Sequence, residues 1–218
     1  MDGLAQNPHP SPRRRFRVRL AALMRWLHIY LSMFSLAAIL FFSVTGITLN
    51  HPRWFYSGAG SRTDSEGQVE RKWLRRVTSE EVTEPERSVD KLQVVEQLRK
   101  SHRIQGALAE FRVDDGECMV TFKGPGYAAD AFIDRETGKY RLSETYHGLV
   151  AVLNDLHKGR DTGPVWSVLI DVSAALMALV SVTGLVLLFY LKLRRLPGLV
   201  VAGLGAAVVV ALAVFCAP

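Results

Sequence analysis

Residues 21–49 form an apolar run that contains no carboxylate, with Arg25 near its start as its one charged side chain. At about 1.5 Å of rise per residue, the twenty or so residues after Arg25 cross the roughly 30 Å hydrocarbon layer of a bilayer. Two further apolar runs, 165–191 and 199–216, also reach spanning length, the last one barely. The chain is therefore expected to be a membrane α-helical protein with three transmembrane helices. A charged stretch separates the first two runs and has room for one small domain with a modest core.

The formal net charge of +6 is a matter of topology rather than of nucleic-acid binding. Arg13, Arg14, Arg15, Arg17, Arg19 and Arg25 precede or open the first run, Lys192, Arg194 and Arg195 follow the second, and the stretch between them is close to neutral. Basic residues gather on the cytoplasmic side of spans. The expected topology is a cytoplasmic N-terminus, an external middle domain, a cytoplasmic turn at 192–198 and an external end to the third span. The first run is too long for a signal-peptide core, and Thr48-Leu49-Asn50-His51-Pro52 offers no small-x-small cleavage site, so it reads as an uncleaved anchor. Residues 1–12, with three prolines, read as a disordered tail.

The middle stretch reads as a linker over 58–68 and then a small α+β module. Ser88 caps a helix to His102 whose apolar stripe is Val89, Leu92, Val95 and Leu98. Residues 108–113 and 118–122 alternate around Asp114-Asp115-Gly116 as a hairpin, and two more short strands follow at 129–134 and 140–142. Residues 143–159 are expected as an amphipathic helix on the outer membrane surface, with Leu149, Leu153 and Leu156 on one side. The segment boundaries are a basic tail 1–20, span 21–51, linker 52–69, α+β domain 70–145, interfacial segment 146–163, span 165–191, turn 192–198 and span 199–217. Cys118 and Cys216 read as two unpaired small hydrophobes.

There is no nucleophile–base constellation, Gly-rich phosphate loop, CxxC pair or zinc-protease motif. Imidazole is the group with chemical use. Under the expected topology, His51, His147 and His157 lie near the outer membrane face, where two could grip a b-type haem from opposite sides or simply meet headgroups and water. His28 lies on the inner side without a histidine partner, and a homo-oligomer would be needed to pair it. Asp171, about two turns inside the second span, is placed to orient an imidazole or to form an ion pair with Lys158 or Arg160. His28, Ser32, Ser35, Ile39, Phe42 and Gly46 share one face of the first span, where small residues admit a neighbouring helix or a flat cofactor. Ser-Val-Thr-Gly occurs at 43–46 and again at 181–184, a weak internal repeat of helix-packing type.

Trp26-Leu27-His28-Ile29-Tyr30-Leu31-Ser32 and Ser43-Val44-Thr45-Gly46-Ile47-Thr48-Leu49-Asn50-His51-Pro52 resemble the first helix of PepSY-associated transmembrane proteins. Leu156-His157-Lys158-Gly159-Arg160 with Val182-Thr183-Gly184-Leu185 resembles that family's second block. Phe132-Ile133-Asp134 and Glu136-Thr137-Gly138 resemble its extracytoplasmic PepSY module, here inserted between helices 1 and 2. Larger relatives are similar to haem-bearing inner-membrane reductases of ferric-siderophore uptake. The resemblance implies a bacterial inner-membrane location, haem b, and His28 and His157 as the family-like histidines, with His51 belonging to shorter variants and His147 without a counterpart. It implies an electron-transfer or reductase subunit working with a redox partner protein or as a homo-oligomer. The alternative it leaves open is a non-catalytic anchored module whose PepSY domain binds a peptide or partner protein, as PepSY modules do in protease propeptides.

Overall fold

The computed structural model describes residues 11–55, 60–75 and 89–216. Three helices are long and apolar enough to cross a membrane: α1 (Pro12–Asn50), α6 (Pro164–Tyr190) and α7 (Arg195–Phe215). Hydrocarbon offers backbone amides no partner, so runs of this composition close their hydrogen bonds internally as helices. α1 begins well before the apolar run. Pro12 takes the first helical position, where a missing N–H costs nothing, and the Ser11 carbonyl accepts from the amides of Arg14 and Arg15. The basic segment expected as a tail is thus helical from Pro12; the expected disorder of 1–12 falls mostly outside the described residues. Pro52 then opens a single turn, α2 (Pro52–Phe55).

The chain divides into two compact units, residues 1–40 with 171–218, and residues 41–170. The second unit holds a five-stranded antiparallel sheet of β1 (Ser61–Gln68), β2 (Ala107–Val113), β3 (Glu117–Gly124), β4 (Tyr127–Asp134) and β5 (Lys139–Tyr146). Its strand order is β1-β5-β4-β3-β2. β1 corrects the expected linker: 61–68 pairs with β5 in register from Ser61 opposite Tyr146 to Gln68 opposite Lys139. Apolar alternation is missing because this edge strand carries only polar residues and buries almost nothing. Gly67 is required there because the Tyr140 ring occupies the place of a Cβ.

α3 (Arg71–Leu74) is a single turn that drives Leu74 into the core. α4 (Lys91–His102) is capped by Asp90, whose carboxylate accepts from the Gln93 amide; Ser88, expected as the cap, lies outside the described residues. Val94, Val95 and Leu98 of α4 pack with Cys118, Val120, Phe122, Ala131, Ile133 and Leu142 from one face of the sheet. Leu92 departs from the expected stripe and points outward, because the helical repeat turns Val94 rather than Leu92 inward. Cys118 is free and buried, with its thiol pKa pushed up by desolvation; Cys216 is free and exposed. The other face of the sheet stays open, with Phe132, Lys139 and Arg141 exposed.

The expected interfacial helix is shorter than its segment. β5 runs on to Tyr146, Gly148 breaks the strand at φ +84°, and α5 (Leu149–Lys158) follows. Gly159, left-handed at φ +66°, closes α5 by donating its N–H to the Leu156 carbonyl.

Candidate functional site

Two histidines are seated in the same way, one in each unit. In the residue 41–170 unit, α5 packs on the last turns of α1. Thr48 and Asn154, both buried, meet at 2.7 Å, and one turn away Thr45 Oγ1 lies 2.6 Å from His157 Nδ1. Phe42 meets the imidazole edge-on at 5.2 Å, and the Trp166 indole donates to the Leu156 carbonyl at 2.8 Å. The far side of α5 is held by the β3–β4 turn, where the Gly126 amide donates to Asp155 Oδ2 and its carbonyl accepts from the His147 amide. Gly46 completes the seat: a Cβ there would stand 3.7 Å from His157 Cε1.

In the other unit, His28 of α1 lies over α6. Its Nδ1 is 3.1 Å from the Val180 carbonyl and 3.1 Å from Thr183 Oγ1. Gly184 leaves room for the ring, since a Cβ there would come within 3.1 Å of His28 Cε1. The Ser-Val-Thr-Gly repeat is therefore a pair of imidazole seats. In each copy the threonine meets Nδ1 and the glycine lies beneath Cε1.

The hydrogen bonds assign the tautomer. A carbonyl can only accept, so His28 Nδ1 carries the proton it donates to Val180. Thr45 donates its single hydroxyl proton to the Phe41 carbonyl at 2.6 Å, so its oxygen accepts from His157 Nδ1–H. Thr183 likewise donates within α6, to the carbonyls of Leu179 and Val180. That leaves Nε2 as the free nitrogen of each ring, with no hydrogen-bond partner among the described residues. A histidine fixed through Nδ1–H with Nε2 open has the form of a metal ligand, and each seat offers one such imidazole.

The other expected site residues are placed differently. His51 is half-buried and stacks on Trp54, with ring centroids 3.9 Å apart and planes 6° from parallel. Neither ring nitrogen of His51 has a hydrogen-bond partner among the described residues. His147 is exposed and engages through its backbone only. Asp171 is exposed on α6, and its carboxylate forms no hydrogen bond or ion pair among the described residues. Orientation of both rings falls instead to Thr45 and Thr183, which sequence reasoning passed over as packing residues. Among the described residues no group of three or more His, Cys, Asp or Glu is arranged to hold a metal ion.

No curated protein and no solved structure matches the chain. A family model described as "Putative PepSY_TM-like" matches residues 22–218, nearly the whole length, and the chain belongs to that PepSY-TM-like family.

Proposed function

We propose that this protein is a haem-b electron-transfer or reductase subunit of a bacterial inner membrane, delivering electrons to a periplasmic acceptor such as a ferric complex. One observation carries the reading: His157 and His28 are each tied through Nδ1 to a threonine over a glycine, with Nε2 left open. His157 and His51 are the proposed axial ligands, with His147 as the alternate. His28 is a further ligand completed in a homo-oligomer, and Thr45 and Thr183, in place of the expected Asp171, orient the imidazoles. When bound, haem b supplies a one-electron couple whose potential follows its axial ligands and their hydrogen bonds. The chain's own residues hold the imidazole planes, fix the proton on Nδ1 and exclude water with Phe41, Phe42 and Trp166. The basic flanks support a topology with the N-terminus and the 192–198 turn in the cytoplasm and the sheet in the periplasm.

The test is the reduced-minus-oxidised spectrum of the full-length protein purified from haem-replete cells. The expected result is haem α and Soret bands that are lost or shifted in His157→Ala and in His51→Ala. Bands unchanged in both variants overturn the ligand assignment. A colourless preparation overturns the haem reading and favours an anchored module that binds a peptide or partner protein. That second reading has an observation of its own: a cleft of about 1090 Å³ on the open face of the sheet, lined by Glu66, Glu117, Phe132, Asp134, Lys139 and Arg141.

A further inference from the structure

The start of α1 is electrostatically wrong for an isolated helix. Arg13, Arg14, Arg15, Arg17 and Arg19 crowd its first turns, and α1 contains no acidic residue at all. Like charges three and four apart repel. The N-terminal end of a helix is also its positive pole, which favours anions and disfavours cations. None of Arg14, Arg17, Arg25 and Lys192 has a carboxylate partner among the described residues. Yet the helix is continuous from Pro12.

These charges are gathered around a cleft within the residue 1–40 and 171–218 unit. The cleft, of about 450 Å³, is lined by the cations Arg14, Arg17, Arg25 and Lys192, with Val18, Ala21 and Ala22 as an apolar floor and Phe189 and Tyr190 at the end of α6. Spacings of four, three and four put Arg14, Val18, Ala21 and Arg25 on one face of α1. No carboxylate lines it among the described residues. Positive flanks as such need only charge near the membrane. Here the charge is held on a rigid face beside aliphatic and aromatic surface, which suits a molecule with an anionic head and an apolar body.

We infer that this cleft binds the phosphate headgroup of an anionic phospholipid, with its glycerol and upper acyl chain on Val18, Ala21, Ala22 and Phe189. The headgroup offsets part of the charge of Arg14, Arg17, Arg25 and Lys192 and supplies the anion that the helix start calls for. Arginine forks bind phosphate oxygens in pairs, and aromatic rings at the end of a span suit the interfacial region of a lipid.

The experiment is native mass spectrometry of the full-length protein in detergent, titrated separately with phosphatidylglycerol, cardiolipin and phosphatidylcholine of the same acyl composition. The wild-type chain retains the anionic lipids at least tenfold more tightly than phosphatidylcholine. Arg14→Gln with Arg17→Gln lowers that preference by roughly fivefold per cation removed. Arg13→Gln with Arg194→Gln removes the same charge away from the cleft lining and leaves the preference within twofold of wild type. Equal retention of all three lipids overturns the proposal, as does a loss in the Arg13/Arg194 variant as large as that in the Arg14/Arg17 variant. Inorganic phosphate at millimolar concentration leaves the bound lipid in place; displacement by phosphate alone reassigns the cleft to a soluble anion and overturns the lipid reading.

Discussion

A threonine hydroxyl has one proton to give, and in this protein that limit decides which atom of a histidine is exposed. Thr45 gives its proton to Phe41, so His157 must give one from Nδ1. The two seats are alike but not equally redundant, because His28 Nδ1 also reaches the Val180 carbonyl while His157 Nδ1 meets Thr45 alone. Thr45→Val is therefore expected to release His157 into a mixture of tautomers, and Thr183→Val to leave His28 fixed. Nitrogen-15 NMR of the imidazoles in the purified protein reads this directly, and Thr45→Ser restores the wild-type pattern. Equal behaviour of the two valine variants would show the assignment to be wrong. The loss of the hydrogen bond costs Thr45→Val about 0.5–1.5 kcal/mol of stability. The repeated Ser-Val-Thr-Gly was visible in the sequence, but its meaning was not. Each threonine meets its histidine across more than a hundred residues of chain, 112 in one seat and 155 in the other, and no local pattern encodes such a contact.

The elements that could be read ahead are those whose apolar residues follow their own period or fill their whole length. The helix ending at His102 and β3 emerged because one face of each is apolar over several turns or alternations, and the three long helices because each is apolar over a whole spanning length. β1 was hidden because an edge strand can be wholly polar and still be held by backbone pairing. The position of α5 was hidden for a related reason. It is held by polar contacts on two sides, Asn154 to Thr48 and Asp155 to Gly126, rather than by an apolar stripe laid on a surface. Gly126 is the single residue on which the second contact turns. Its φ of +66° is left-handed, and a Cβ there would meet Val152 of α5. Gly126→Ala is expected to cost more than about 1 kcal/mol from the backbone conformation alone, and to broaden the His157 imidazole signals as α5 loosens. Gly116→Ala, in the neighbouring hairpin turn with open space around it, is the matched control and stays within about 0.5 kcal/mol. Thermal unfolding of the two variants side by side checks the difference.

Over the whole molecule, the sequence order of three apolar helices around one antiparallel sheet was legible from hydropathy and charge, and the family match extends over that same order. At about 1.5 Å per residue, α1 is nearly twice as long as the hydrocarbon layer is thick, which accounts for a helix that serves a basic cleft near one end and an imidazole seat near the other. The pairing of β1 with β5 has a consequence for how the chain is assembled. Ser61 and Tyr146 stand directly opposite each other, so the points where the polypeptide leaves for the sheet and returns from it are about 5 Å apart. The eighty-odd residues between them are a cassette. A shortened protein in which a Gly-Ser pair replaces residues 61–146 is expected to insert in the membrane and to show a broadened His157 Nδ1–H signal, because Gly126 and its hold on Asp155 leave with the cassette, and nitrogen-15 NMR would register it. In such a chain the bilayer part would stand alone, and any module spliced into the same gap would have to bring its own partner for Asp155 to steady the helix that follows it.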